Sequence, residues 1–193
     1  MLLEERLLRL ARTCGHTPGA ERAVARFSLL GEHAGVWLVL GTVESLLSAG
    51  DRRARWRRAT VAVAGTYAAN TALKLLVRRV RPQLPGLAPL TSTPTRFSFP
   101  SAHASTSFAA ALAYSRAGFP AMPLYALAGG LALSRLYLGV HYPSDVLAGA
   151  LLGTVIAAAC APPPDAWHAG TGSDVLPAET LSGMGASNGM ALP

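Results

Sequence analysis

The chain has 193 residues, 51% of them hydrophobic and only 14% charged, with a positive mean hydropathy. Soluble domains carry about 25% charge, so this balance argues against a water-soluble globular protein and for one that sits in a bilayer. The formal charge of +7 rests almost wholly on arginine, Lys74 being the single lysine. Arginine suits bidentate phosphate contacts, and the basic residues flank apolar segments without interleaved aromatics, which argues against a nucleic-acid partner. Cys14 and Cys160 lie near opposite ends with no metal spacing and no disulfide framework.

Residues 1–26 open with "MLLEERLLRLAR", too charged for the apolar core of a signal peptide. The stretch reads as an amphipathic helix with Leu3, Leu7, Leu10 and Ala11 on one face, suited either to a headgroup layer or to packing on neighbouring helices. Five apolar stretches follow at 34–50, 59–77, 100–118, 120–138 and 144–161, and "FSLLGEH" at 27–33 extends the first or leads into it. Each has about 16–20 residues, near the ~20 that cross a ~30 Å hydrocarbon core. No period-two alternation is sustained, so the expected fold is all-α: a polytopic membrane bundle of about five to six transmembrane helices over 27–161. "DRRARWRR", 51–58, reads as a loop of five arginines facing the cytoplasm, with Trp56 as an interfacial anchor. The alanine-rich third stretch and the Gly149/Gly153 pair predict close helix packing within the chain. From 162 to 193 glycine, proline and small polar residues dominate, the composition of a disordered tail.

Three polar islands interrupt the apolar pattern: "KLLVRRVRP" closing the second stretch, "SFPSAHAS" opening the third, and "SRLYLGVHYPSD" joining the fourth to the fifth. A helical hairpin returns to the same membrane face at every second crossing, so all three islands share one surface. Lys74 and Arg81, seven apart, would share a helix face. Asp145 alone in the islands cannot neutralise Lys74, Arg81 and Arg135, and an exogenous anion such as phosphate fits that imbalance. Arg78 and Arg79 read as snorkelling side chains. Pro100 sits in a first helical turn with Ser98 as its cap, so that Ser101, Ala102 and His103 present backbone N–H groups to an anion. Pro143 starts the last helix, and from its first turn Asp145 can reach back to His141. That pairing makes His141 a candidate nucleophile and His103 a candidate acid, although a capping aspartate beside a turn histidine is also common. Glu32 and His33, at the start of the first clear crossing on the same face, are candidate headgroup contacts.

These residues resemble the type 2 phosphatidic acid phosphatase superfamily. "KLLVRRVRP" matches its K-x6-RP element, "PSAH" its PSGH element and "SRLYLGVHYPSD" its SR-x5-H-x3-D element. The resemblance covers about residues 59–160. It implies a metal-independent, cofactor-free membrane phosphatase acting on a lipid-linked phosphate. His141 would form a phosphohistidine, Asp145 would orient it, and His103 would serve as acid and then as base. Lys74, Arg81, Ser101, Arg135 and the Ala102 amide would hold phosphate oxygens. The family core usually has six helices where five are clear here, and Ala102 replaces the usual glycine.

A narrower likeness, on "SLLGEHAGVWL", "SFPSAHAST" and "LSRLYLGVHYPSDVLAGA", is to actinobacterial decaprenylphosphoryl-phosphoribose phosphatases. Undecaprenyl diphosphate, phosphatidylglycerophosphate and phosphatidic acid phosphatases share the core motifs. So do vanadium haloperoxidases, which are soluble, and a non-catalytic scaffold would lack the histidines or the aspartate. The 51–58 arginines predict a multi-pass cell-membrane protein with its active site on the extracytoplasmic face.

Overall fold

The computed structural model describes residues 3–161; the tail expected at 162–193 lies outside them. The described chain is helical without strands: α1 Leu3–Thr13, α2 Pro18–Leu29, a 3-10 turn Glu32–Ala34, α3 Gly35–Leu47, α4 Gly50–Val77, α5 Ala102–Arg116, α6 Ala121–Tyr137 and α7 Pro143–Cys160.

Helix α5 is the central post, packed by α4, α6 and α7. Ten of its 15 residues are buried, nearly all alanine, serine or threonine. Such small side chains let three neighbours approach one axis at once. The α5–α7 contact is the tightest. A Cβ added at Gly149 would lie 2.5 Å from the Ser101 carbonyl oxygen, and one at Gly153 would overlap the Ser105 carbonyl. The glycine pair thus serves packing within the chain.

A large-residue layer closes one end of the bundle. Trp37 donates its indole N–H to Ser107 Oγ at 2.9 Å, and the Tyr114 hydroxyl donates to the Trp37 carbonyl at 2.7 Å. Trp56 is fully buried, with its ring 5.1 Å from Tyr114 and 6.4 Å from Phe119. This corrects two expectations. "DRRARWRR" is not a loop but the opening turns of α4, and Trp56 points into the core rather than to an interface. The helical period explains both, because Trp56, Ala59 and Val63 follow one another on the inward face while the arginines take the rest of the circumference.

Helices α4 and α7 are long and apolar enough to cross a membrane. Helix α2 and the Glu32–Leu47 segment qualify together, bent by 45°. Helices α5 and α6 have 15 and 17 residues. Leu147, Leu151 and Val155 line the outer face of α7 and are 57–71% exposed. An apolar stripe of that length belongs against lipid, and the protein associates with membranes.

Helix α1 turns Leu8 and Arg12 inward and leaves Leu3, Leu7 and Leu10 outward. Arg12 fixes this docking by donating to the Ala88 carbonyl at 2.8 Å and the Tyr137 carbonyl at 3.3 Å.

Helix α4 ends where Arg78 adopts a left-handed conformation, φ 52°. The chain then doubles back on itself. Arg81 N–H donates to the Arg96 carbonyl and Ser98 N–H to the Arg79 carbonyl, while Ser98 Oγ donates to the carbonyls of Arg79 and Val80. Ser98 is therefore committed to this pairing and does not cap α5. That helix starts at Ala102 with Ser101 in the cap position, and Pro100 precedes it.

Candidate active site

The three polar islands meet at one end of the bundle around a cavity of about 110 Å³. Lys74, Arg81, Ala102, His103, Arg135 and His141 line it, together with Glu32, His33, Tyr67, Asn70 and Thr71. Lys74 comes from the last turn of α4, His103 from the first turn of α5 and Arg135 from the last turn of α6. His141 comes from the α6–α7 connection and Asp145 from the first turn of α7. Arg81 reaches the cavity from the doubled-back segment and not from α4. Its convergence with Lys74 depends on the left-handed turn at Arg78 rather than on helical spacing.

The imidazole of His141 is 2% exposed, with its two nitrogens in different surroundings. Nε2 lies 3.1 Å from Arg81 Nη1. A guanidinium can only donate, so Nε2 presents its lone pair there and the ring proton resides on Nδ1. Nδ1 lies 3.6 Å from Asp145 Oδ2. That is an ion-pair separation, longer than the direct hydrogen bond expected from the sequence. Oδ2 instead accepts the Tyr142 N–H at 2.8 Å, and Oδ1 accepts from Arg79 Nη1 at 2.9 Å. Burial pushes the His141 pKa down to about 3, helped by Arg81, Arg135 and Lys74 and opposed by Asp145. The result is a neutral imidazole whose lone pair faces the cations, the form that can act as a nucleophile.

Arg79 is the first correction at this site. Instead of snorkelling, its guanidinium bonds Asp145 and also Ser144 Oγ, at 2.6 Å. The second adds acids from outside the islands: beside Asp145, Glu4 from α1 reaches Arg79 at 2.8 Å and Glu32 lies 3.9 Å from His103.

Ser101 is fully buried, its hydroxyl without a hydrogen-bond partner. Its N–H donates to the Asp145 carbonyl at 3.0 Å and so is not available to an anion as expected. Ala102, the first residue of α5, still lines the cavity, where a first-turn N–H has no partner within its own helix. Lys74 is buried and donates weakly, at 3.4 Å, to the Phe97 carbonyl. Arg81 anchors on the Thr95 and Val140 carbonyls at 2.9 and 2.8 Å. Three cations thus converge on one small polar space, an arrangement that favours a multiply charged oxyanion.

Ser28 is the residue that sequence reasoning missed. Its hydroxyl accepts from Arg135 Nη1 at 2.7 Å, and its carbonyl lies 3.0 Å from His103 Nε2. A carbonyl can only accept, so His103 carries a proton on Nε2. Ser28 stands in an apolar stretch 107 residues before Arg135, and no spacing rule links them. Next to it His33 and Ala34 adopt left-handed conformations, φ 50° and 59°, which bend the chain over the cavity. His33 Nδ1 lies 2.7 Å from the Tyr67 hydroxyl.

The model of the PAP2 superfamily matches residues 55–166, more than half of the chain and all three islands. The chain belongs to the PAP2 superfamily. It is similar to the decaprenylphosphoryl-5-phosphoribose phosphatase of Mycobacterium tuberculosis strain H37Rv, with 42% identity over 144 residues, 73% of this chain and 78% of that one. Among solved structures it resembles LpxE of Aquifex aeolicus, with a TM-score of 0.70 and 25% identity over 83% of this chain and 95% of that one. A PAP2-type phosphatidylglycerolphosphate phosphatase of Bacillus subtilis shares the fold at a TM-score of 0.68 and 20% identity, over 89% and 87% of the two chains. The cavity therefore sits in a PAP2 fold, and among the described residues no cluster of three metal-ligating side chains accompanies it.

Proposed function

We infer that this PAP2 protein is a membrane phosphatase that removes the terminal phosphate of a phosphosugar carried on a polyprenyl lipid, of the decaprenylphosphoryl-5-phosphoribose type. The observation that carries the reaction is the placement of His141, its Nε2 3.1 Å from Arg81 Nη1 in a cavity ringed by cations. The substrate class follows from the 42% identity to phosphatases named for that lipid. Glu32 and His33 at the cavity wall then meet the neutral hydroxyls of the sugar. A carboxylate there suits hydroxyl donors and would repel a second phosphate.

In this mechanism Lys74, Arg81, Arg135, the Ser101 hydroxyl and the Ala102 N–H hold the phosphate oxygens. Nε2 of His141 attacks phosphorus, the P–N bond forms, and the ester P–O bond breaks with its electron pair passing to the sugar oxygen. With the phosphate dianion bound and Glu32 3.9 Å away, His103 takes the doubly protonated form. It gives that oxygen its Nε2 proton, keeps the one on Nδ1, and exchanges the Ser28 carbonyl for the departing group. Asp145 balances the charge that develops on His141. Water, deprotonated by His103, then releases phosphate and restores the imidazole. The fold spans the membrane with five or six segments, α5 and α6 included, and the cavity opens on the extracytoplasmic side.

Nitrophenyl phosphate separates the two histidines. Nitrophenolate leaves unaided, so His103→Ala should give a burst of nitrophenol followed by slow turnover, while its attack on a lipid phosphosugar slows about 10²–10⁴-fold. His141→Ala should give no burst from either. A burst from the His141 variant, or equal losses on both leaving groups, would show the roles to be misassigned. Faster phosphate release from phosphatidic acid than from a phosphoribosyl polyprenyl lipid would overturn the substrate reading.

A further inference from the structure

We propose that Glu4 and Arg79 position the Asp145–His141 pair, so that the N-terminal helix is a working part of the active site. The proposal rests on the phosphatase reading above and concerns Glu4, which lies outside the three motifs, and Arg79, one of the unspecified positions of K-x6-RP.

Both terminal nitrogens and one face of the Arg79 guanidinium are used. Nη1 donates to Asp145 Oδ1 at 2.9 Å and to Ser144 Oγ at 2.6 Å, and Nη2 donates to Glu4 Oε2 at 2.8 Å. Its carbon lies 4.1 Å from the centre of the Tyr142 ring. Glu4 closes the circuit, because its Oε1 accepts the Ser144 N–H at 3.2 Å. One carboxylate from α1 and one cation from the end of α4 thus grip the turn that carries the nucleophile.

The grip acts on orientation. Asp145 is wholly buried, and its Oδ2 must face Nδ1 of His141 across 3.6 Å. With Arg79 on Oδ1 and the Tyr142 N–H on Oδ2, each carboxylate oxygen has its own donor, which fixes the plane of the group. Without Arg79 only the Tyr142 bond remains, and the carboxylate can turn away from the imidazole. That loosens the charge balance on which attack by Nε2 depends.

Glu4 acts at one remove. It is ionised, its pKa lowered by hydrogen bonding to Ser144 and by Arg79 against the effect of burial. It holds the outer edge of the guanidinium so that the inner edge stays on Asp145. Helix α1 can transmit this constraint because Leu8 and Arg12 are buried beneath it and Arg12 bonds the Ala88 and Tyr137 carbonyls. The Glu4 and Arg79 side chains are themselves 30% and 31% exposed. An ion pair that open contributes little to stability, so its aim at Asp145 is what calls for a role.

The test is a double-mutant cycle on the full-length protein carrying His103→Ala, where slow hydrolysis leaves the nitrophenol burst visible, reading the rate constant of that burst and competition by inorganic phosphate. Arg79→Gln should slow the burst about 10–100-fold, the usual effect of losing a group that orients a site residue. Arg79→Lys should recover part of that loss. Glu4→Gln should slow it several-fold with Arg79 in place and hardly at all beside Arg79→Gln, because glutamine can still accept the Ser144 N–H and loses only the charge that holds that cation. Phosphate competition should be unchanged in every variant, since none touches the phosphate cradle. Equal effects of Glu4→Gln in both backgrounds, or bursts within two-fold of normal, overturn the inference. So does a parallel loss of phosphate competition, which marks a general scaffold. If Arg79→Gln does not fold, Glu4→Gln and Arg79→Lys decide alone by the same split between burst rate and phosphate competition. If His103→Ala alone gives no burst, the phosphatase reading falls and this inference with it, whereas a burst in His103→Ala that the added variants leave unaffected removes this inference only.

Discussion

His141 shows how a single side chain is set by its neighbours. The folded chain refuses it a proton until about pH 3, whereas the unfolded chain accepts one near the ordinary histidine value of about 6.5. Below that value the unfolded state binds a proton that the folded state does not, so stability falls as pH drops from about 6.5 towards 3 and is fully present above that window. The slope for one such group is on the order of 1 kcal/mol per pH unit. The thermal midpoint in detergent should therefore drop between pH 7 and pH 5, and His141→Asn should drop less. An equal acid loss in the variant would assign the effect to another group. Arg79 and Arg78 make a related point, since adjacent arginines in one motif have different fates. Arg78 caps its own helix, its Nε donating to the Leu75 carbonyl at 2.8 Å, while Arg79 turns in to Asp145. The left-handed φ at Arg78 separates them.

At the scale of elements, the α5–α7 pair holds the site together. Ser101 and Asp145 sit at the facing ends of these helices, joined by the Ser101 N–H to the Asp145 carbonyl. Their distance from each other is set by Gly149 and Gly153 below them. Gly153→Ala places a methyl group against the Ser105 carbonyl and should cost about 1–3 kcal/mol through forced separation. Gly65→Ala, in α4 with nothing within 4 Å of the new methyl, should be neutral or stabilising by about 0.5–1 kcal/mol. Thermal midpoints of the two variants measure the contrast, and equal shifts would mean that the helix contact is not limiting. Helix α1 contributes differently, with its outward leucines uncovered and its inward charge aimed at Arg79.

For the whole molecule, the question is which way the bundle lies in the membrane. The opening turns of α4 concentrate five arginines at the end of the bundle opposite Lys74. Retention of positive charge on the cytoplasmic side would put that end inside, which supports the proposed extracytoplasmic cavity. Single cysteines at Ser92, beside the cavity mouth, and at Asp51, at the start of α4, distinguish the orientations in a chain with Cys14 and Cys160 replaced. In intact cells an impermeant reagent should label Ser92→Cys and spare Asp51→Cys. The reverse pattern inverts the orientation.

Membrane association, helical class and reaction class were legible in the residues alone. Apolar length and residue type are local properties, and the three motifs carry their residues in an order that any hairpin arrangement brings to one face. How those residues are held depends on the fold. Ser28 meets Arg135 across 107 residues, and Glu4 meets Arg79 across 75. Those pairings depend on the bend after α2 and on the docking of α1, neither of which has a local signature. The same limit explains the errors. Arginine density at 51–58 suggested a loop because charge is visible in sequence, whereas the inward turn of Trp56 depends on Tyr114 and Phe119 from another part of the chain. Local pattern fixes what a residue can do. Which partner it meets is settled by close packing, where small residues along α5 and α7 leave room for one arrangement of the helices around it.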